Sequence, residues 1–526
     1  MKYSPILFFA LICQLFLPAV MGQPTSVSKG DIVILYENDV HGAIEGYPLL
    51  AAMRDEMRAI TPYVAVVSCG DFLSGTPLGS VSRGRYLVRM MNAVGYDFVT
   101  LGNHEFDFGI DVLMQRMKEL SAGVLCGNFA HVDGTAYYLC HAMREYGGVK
   151  VAFVGVTTPT APTSSTPAFF QDSTGRWMYT FFPIGLDSVI QRCVDEVREQ
   201  GADYVMLLSH IGETDLPGLV ASTTGIDVVL DGHSHSVIPH KRIPNRDGRE
   251  VLWTSTGSKF KNIGRLVIKP HGGTYSELMP TSAMPPAVNA VADTLSVVLH
   301  AYDSVACRRV GYSLVHLWRK GHEGNRYDAP LGNFFCDAFL ALTHADVALM
   351  NAGGIRDDVR AGELLFGDLY SSAPFDNKLC LVEMSGQVLL DALEMGCRNF
   401  PLTGGGFLCV SGIVFEIETL QPSTVVCDEN GVFVRIEGAR RVKNVMVVNP
   451  TTKKLSPLDP ARLYRVAGCD YTLLKQGDGH RFSGIKVINP AVSSYVEAVE
   501  RYLRDYLKGV IDQSTYAHPL GRIIAR

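Results

Sequence analysis

Apolar residues in the first half of the chain fall into short continuous runs that alternate with longer stretches of helical spacing. Asp31–Glu37, Tyr63–Ser68, Asp97–Leu101, Val149–Val156, Asp203–Ser209 and Asp227–Leu230 read as strands. Between them, Pro48–Ile60, Arg83–Val94, Ile110–Leu120 and Leu186–Glu199 carry apolar residues at the three- and four-residue intervals that line one helix face. Strands alternating with helices of this length build βαβ units and a layered α/β domain. Runs that are apolar throughout, such as VAVVS (64–68) and VMLLS (205–209), suit strands buried on both faces. The pattern changes at 273–286 (GTYSELMPTSAMPP), where Ser, Thr and Pro accumulate ahead of a helical stretch from Val288 to about Ala306. That segment reads as a domain junction. The expected organisation is a first domain over 27–285, a linker helix over 286–309 and a second α/β domain over 310–526, ending in an amphipathic helix, Val492–Val510.

The ends and the composition narrow the class. Lys2, an apolar run from Ile6 to Leu17 interrupted by Gln14, and Val20-Met21-Gly22 make residues 1–22 a cleavable secretory signal. The run is shorter than the roughly 20 residues a membrane span needs. The expectation is an exported protein, periplasmic, extracellular or at the cell surface, with no stable membrane insertion after signal cleavage. The 526 residues exceed one ordinary domain, and with 47% hydrophobic and 19% charged residues they can fill real cores. A net charge of −6 without basic clusters argues against nucleic acid as a partner. Of 12 cysteines, Cys13 lies in the signal, which leaves an odd number, and no CxxC occurs. Cys69, Cys126, Cys336 and Cys380 sit in apolar runs and read as small buried hydrophobes.

The candidate chemistry lies just after the strands of the first half. Asn38-Asp39-Val40-His41, Gly70-Asp71, Gly102-Asn103-His104-Glu105, Ser209-His210 and Gly232-His233-Ser234-His235 each follow a strand-like run. Ligands of α/β sheets bind outside the carboxyl ends of the strands, so these polar residues should converge. Singly, each is an ordinary turn or helix cap. Together they supply the donors His41, His210, His233, His235, Asp39, Asp71 and Asn103. Mixed imidazole and carboxylate donors suit Zn, Mn, Fe or Co. Seven donors exceed one tetrahedral ion but serve two ions that share a carboxylate, a common device for phosphate-ester hydrolysis.

The order D-x-H, GD, GNHE, H, GH-x-H resembles the calcineurin-like metallophosphoesterases, and NDVHG (38–42), GNHEFDFG (102–109) and GHSH (232–235) resemble their 5′-nucleotidase/UDP-sugar hydrolase branch. The resemblance implies an N-terminal four-layer α/β metallophosphoesterase domain, a β-sandwich flanked by helices, and a C-terminal α/β substrate-binding domain. It implies two divalent ions (Zn, Mn or Co), one on Asp39, His41, Asp71 and His235, the other on Asp71, Asn103, His210 and His233. His104 and Asp107 match the family's catalytic dyad. Residues at i and i+3 of a helical turn are neighbours, so Asp107 can orient the His104 ring.

In the second half, Asn351-Ala352-Gly353-Gly354-Ile355-Arg356, Ala373-Pro374-Phe375-Asp376-Asn377 and Gly477-Asp478-Gly479 resemble the NGGxIR, PFxN and GGDG motifs of the same family's nucleotide-binding domain. Carried over, Asn351 faces a base, Arg356 a phosphate and Asp478 the ribose hydroxyls, with Phe375 as one wall of a base clamp. Two positions depart from the pattern. Tyr471, the candidate second wall, lies seven residues before Asp478 instead of six, with Gln476 in place of the first Gly. Arg326, a candidate phosphate ligand, lies six residues before Gly332 instead of five. The expected function is a secreted two-metal 5′-nucleotidase acting on nucleoside 5′-monophosphates. The alternatives are a UDP-sugar hydrolase or 2′,3′-cyclic nucleotide phosphodiesterase, or a secreted binding protein without catalysis.

Overall fold

The computed structural model describes residues 26–172, 175–270, 272–319, 327–375, 377–402 and 404–526. The expected signal (1–22) and Arg326 lie outside the described residues.

Two six-stranded sheets form the core of the first half. In one, the order is Gly273–Pro280, Asn262–Lys269, Ile32–Glu37, Val64–Ser68, Phe98–Val99, Gly123–Val124. In the other it is Val237–Pro244, Glu250–Thr256, Val228–Asp231, Tyr204–His210, Val149–Thr157, His141–Tyr146. The central strands run parallel, and their continuous apolar runs are buried on both sides. Ile34, Tyr36, Val67 and Phe98 of one sheet pack against Phe153, Met206, Leu208 and Leu230 of the other. The opposite face of the first sheet packs on helices Tyr47–Ile60, Arg85–Val94 and Ile110–Glu119, and that of the second on Leu186–Glu199 and Leu216–Ala221. Helices, sheet, sheet and helices make four layers, and a second α/β unit follows.

Where the chain turns back, structure and pattern differ. The strands between Val237 and Pro280 are not legible in the apolar pattern, and Gly273–Pro280, inside the supposed junction, is an edge strand paired with Asn262–Lys269. An edge strand half open to solvent tolerates Ser, Thr and Glu, which is why it reads as a linker. Asn289 then caps helix Ala290–Ala306, which buries Val291 and Val298 against the first unit's helices. In the second unit a five-stranded sheet (Leu408–Ser411, Val347–Asn351, Leu463–Cys469, Lys378–Ser385, Lys486–Ser494) lies between helices Pro330–Thr343 and Tyr495–Asp505 on one face and Gly386–Gly396 on the other. The last long helix starts at Tyr495 rather than Val492, because Ser494 and Glu497 form a capping box that ends the preceding strand. No described helix is long and apolar enough to cross a membrane. Cys69, Cys126, Cys336 and Cys380 are fully buried, each within a hydrophobic cluster.

Tyr36 ties the two sheets together: its hydroxyl, fully buried, bonds Thr254 Oγ1 of the second sheet at 2.6 Å and Ser276 Oγ of the first at 3.0 Å. Tyr36→Phe keeps the packing and removes both bonds. The expected loss is about 1 kcal/mol, read as a fall in Tm of about 2–4 °C for a unit of this size.

Candidate active site

The carboxyl ends of strands from both sheets meet at one edge of the sandwich. Asp39 and His41 follow Ile32–Glu37, Asp71 follows Val64–Ser68, and Asn103 follows Phe98–Val99. His210 ends Tyr204–His210, and His233 and His235 follow Val228–Asp231. The loops are contorted to deliver these donors. Asp39, His41, Asp71, His233 and His235 have φ of 53°, 47°, 60°, 76° and 56°, in the left-handed region that costs an L-residue about 1–2 kcal/mol. Such conformations persist where the surroundings over-determine them.

Buried side chains do that here. Glu105 accepts from the backbone N–H groups of Asp71, Phe72, Leu73 and Gly102 at 2.6–3.0 Å, clamping two loops at once. Asn38 accepts from Thr256 and donates to Asp39 Oδ2 at 2.7 Å. Asp231 accepts from Ser209 Oγ and from the N–H groups of Ile211 and Gly212, holding the loop behind His210. A Cβ at Gly102 would lie 2.1 Å from Asp71 Oδ1, so only glycine lets the loops approach this closely. Sequence reasoning assigned no role to Glu105, Asn38 or Asp231. The first two stand inside GNHE and NDVHG, and their polar side chains next to apolar strand ends were the one signal available.

The donors form two groups. His41 Nε2 and His235 Nε2 are 2.8 Å apart, with Asp39 Oδ1 at 3.8 and 3.6 Å from them. Asp71 Oδ2 lies 3.6 Å from His41 Nε2 and 3.2 Å from His210 Nε2, while Asp71 Oδ1 accepts from the His104 N–H. Asp71 therefore faces both groups with one oxygen. His210 Nδ1 is held by the Cys69 carbonyl at 2.7 Å, which directs Nε2 inward. Among the described residues, His210 Nε2 and Asn103 Oδ1 are buried with no hydrogen-bond partner. Orphaned donors beside two buried carboxylates fit divalent cations. Burial, aided by the charge of His210, lowers His233 to about 3; burial also lowers His235, to about 4. Both are thus neutral, the form in which imidazole binds a metal. Burial pushes the Asp71 carboxyl up, but His210 and His104 outweigh it and hold it well below the usual range.

His104 and Asp107 stand together on a tight turn. His104 Nδ1 lies 2.9 Å from Asp107 Oδ2, which also accepts from Ser74 Oγ. Burial acts to lower the His104 pKa, but Asp107 and Asp71 reverse it and push it up to about 9. Ser74 is a further residue the sequence did not flag.

The second unit closes over this edge. Asp71, Asn103, His104, Asp107, His233 and His235 line one cleft together with Asn351, Arg356, Phe375, Asn377, Gly405, Tyr471 and Asp478. Asn351 Nδ2 donates to Asp478 Oδ2 at 3.0 Å. Tyr471 OH accepts from the Asp478 N–H at 3.1 Å. The Phe375 ring stacks on His104 with centroids 6.0 Å apart, and the Arg356 guanidinium lies 5.8 Å from the centroid of the same Phe375 ring. Among the described residues, no carboxylate forms an ion pair with Arg356, and burial lowers its pKa. Gln476, which departs from the glycine of the motif, has φ 59°, and its Oε1 accepts from Gln171 Nε2 of the first unit at 3.5 Å. The odd residue thus keeps the left-handed turn and adds a bond between the units. Every proposed site residue within the described chain lines or underlies this one cleft.

Residues 32–237 match the family profile for calcineurin-like phosphoesterase, and residues 310–486 that for the 5′-nucleotidase C-terminal domain. The chain is 25% identical to the 5′-nucleotidase of Bos taurus over 93% of this chain and 92% of that one. It is 26% identical to the 5′-nucleotidase of Homo sapiens, over 93% of this chain and 92% of that one. The crystal structure of a 5′-nucleotidase precursor from Thermus thermophilus superposes with a TM-score of 0.77 at 24% identity, covering 94% of this chain and 99% of that one.

Glu105→Gln keeps the volume but turns an N–H₂ towards backbone N–H groups. Removing an outer partner of this kind costs about 10–100-fold in metal affinity. A competition titration with a chelator should show that weakening for each candidate divalent ion, with the fold retained by circular dichroism.

Proposed function

This chain belongs to the 5′-nucleotidase family, a calcineurin-like phosphoesterase domain joined to a 5′-nucleotidase C-terminal domain, and from that premise we propose that it is an exported two-metal 5′-nucleotidase releasing phosphate from nucleoside 5′-monophosphates. The observation that carries this reading is the single cleft in which imidazoles and carboxylates of the first unit face Arg356, Phe375, Tyr471 and Asp478 of the second. In this reading residues 27–285 are the catalytic domain, 286–309 a linker and 310–526 the nucleotide-binding domain.

Asp39, His41, Asp71 and His235 would hold one ion, and Asp71, Asn103, His210 and His233 the other. Divalent ions there supply polarisation of the phosphoryl oxygens and acidification of a water. Arg356, without a carboxylate partner among the described residues, takes the phosphate. Asp107 and Ser74 hold the His104 ring so that its other nitrogen meets the charge that builds on the phosphoryl group or the leaving oxygen. Phe375 and Tyr471 stack on the base, Asn351 reads its edge and Asp478 accepts from the ribose hydroxyls. Arg326 would add a second positive charge at the phosphate. Substrate selection by stacking tolerates any base.

A panel of AMP, other 5′-monophosphates, ATP, UDP-glucose and a 2′,3′-cyclic nucleotide, run on apo-protein with Zn, Mn or Co added, tests the reading. Monophosphates should turn over fastest, and chelation should abolish the rate. A preference for UDP-glucose or the cyclic nucleotide would replace the 5′-nucleotidase assignment, and metal-loaded protein inert to every ester would favour a binding protein. His104→Ala should lower kcat about 10²–10⁴-fold at unchanged metal content. Phe375→Ala should raise KM by the loss of about 1–3 kcal/mol of stacking and leave hydrolysis of a base-free phosphate ester unaffected.

A further inference from the structure

A second cluster of metal-binding side chains lies away from the cleft, on the helix-covered face of the second sheet. Cys140 and His141 stand where the edge strand His141–Tyr146 begins. Cys193 and Glu196 lie one turn apart on helix Leu186–Glu199, hence on one face of it. Cys140 Sγ is 3.9 Å from Glu196 Oε2, His141 Nε2 is 3.3 Å from the same oxygen, and the Cys193 thiol lies beside Cys140. Each of Cys140, His141 and Glu196 offers one donor atom within 4.8 Å of the others. Donors of a tetrahedral ion with bonds of about 2.0–2.3 Å are separated by roughly 3.3–3.8 Å, close to the 3.3 and 3.9 Å found at Glu196 Oε2.

The surroundings suit an ion. Cys193 is 1% exposed, and a Cβ at Gly127 would lie 2.8 Å from Cys140 Cβ and 3.2 Å from Cys193 Sγ, so bare backbone closes the inner side of the thiol pair. The outer side opens through Glu196, whose side chain is 46% exposed, onto a groove also lined by Asp195 and Glu199. Asp187, Asp195, Glu196 and Glu199 outnumber Arg192 and Arg246 there, so the groove is net acidic. Both thiols are free.

We propose that Cys140, His141 and Glu196 form three sides of a structural site for a borderline-soft divalent cation of the zinc class, independent of the cleft, with the neighbouring Cys193 thiol turning in as the fourth donor. Binding replaces the two thiol protons, which pass to solvent, by two metal–sulfur bonds, with His141 Nε2 and Glu196 completing the shell. The ion pins the covering helix to the edge strand of the second sheet.

Cobalt(II) is the probe, because the cleft's donors contain no sulfur and stay silent in thiolate-to-cobalt charge-transfer absorption. Full-length mature protein is stripped of metal under reducing conditions, its thiols counted, and cobalt(II) added. The expected result is a charge-transfer band that saturates at one equivalent per chain. Cys140→Ser and Cys193→Ser should each abolish it while phosphate-ester hydrolysis persists. Glu196→Gln, at an exposed position that the fold tolerates, should keep the band and weaken cobalt binding at least about tenfold. No band in fully reduced protein overturns the proposal. So does a band that survives the double Cys→Ser variant, which would belong to another cysteine, or a Cys140–Cys193 disulfide found in the protein as isolated.

Discussion

Two carboxylates, Asp39 and Asp71, are buried side by side at 0% and 1% exposure, and the rest of the first unit is arranged around that fact. Like charges in a water-poor pocket cannot both stay ionised without positive partners. Here the partners are the His210 and His104 imidazoles, backbone N–H groups at both Asp39 and Asp71, and the cations that orphaned donors invite. Bringing those groups within 4 Å of one another requires strand ends from both sheets to meet at one edge. That requires in turn that the sheets be locked face to face, as the Tyr36 hydroxyl does.

The strain of the arrangement is local and so is its support. Five candidate ligands sit in left-handed backbone. Glu105 offsets this from below, with one carboxylate spanning the Asp71 loop and Gly102. The pattern separates two kinds of residue that look alike in a motif. Asp71 faces the cleft and meets the candidate ions, whereas Glu105, two residues beyond Asn103, faces the protein and never reaches them.

The second unit adds a guanidinium and aromatic faces to the cleft. Arg356 is half-buried with no carboxylate partner among the described residues, and the Phe375 ring lies on His104, so the elements that would hold a nucleotide already touch those that would act on its phosphate. The units also meet at a second place, where Gln171 and the Ala168 N–H bond the Gln476 side chain and the Lys475 carbonyl. Gln476 occupies a glycine position of the motif, yet its left-handed φ preserves the turn beside Asp478. The motif's geometry is kept while the side chain takes on a contact between units.

Contiguous residues determine what contiguous residues can show. The apolar periods of Asp31–Glu37 or Leu186–Glu199, the donor types in D-x-H and GH-x-H, and the i, i+3 pairing of His104 with Asp107 are all readable within a few positions, because helix and strand geometry repeats over that span. The strands between Val237 and Pro280 were not readable: Asn262–Lys269 becomes a strand by pairing with Ile32–Glu37, far away in the chain. Nor could local pattern reveal that Asp71 turns one oxygen to both donor groups, that Cys69 aims His210, 141 residues on, or that Cys140 lies beside Cys193. Those facts depend on distances between strands, and such distances are set by sheet pairing and by the packing of the two units. The chemistry available was written in the residues, and which of them act together was decided only when the sheets closed.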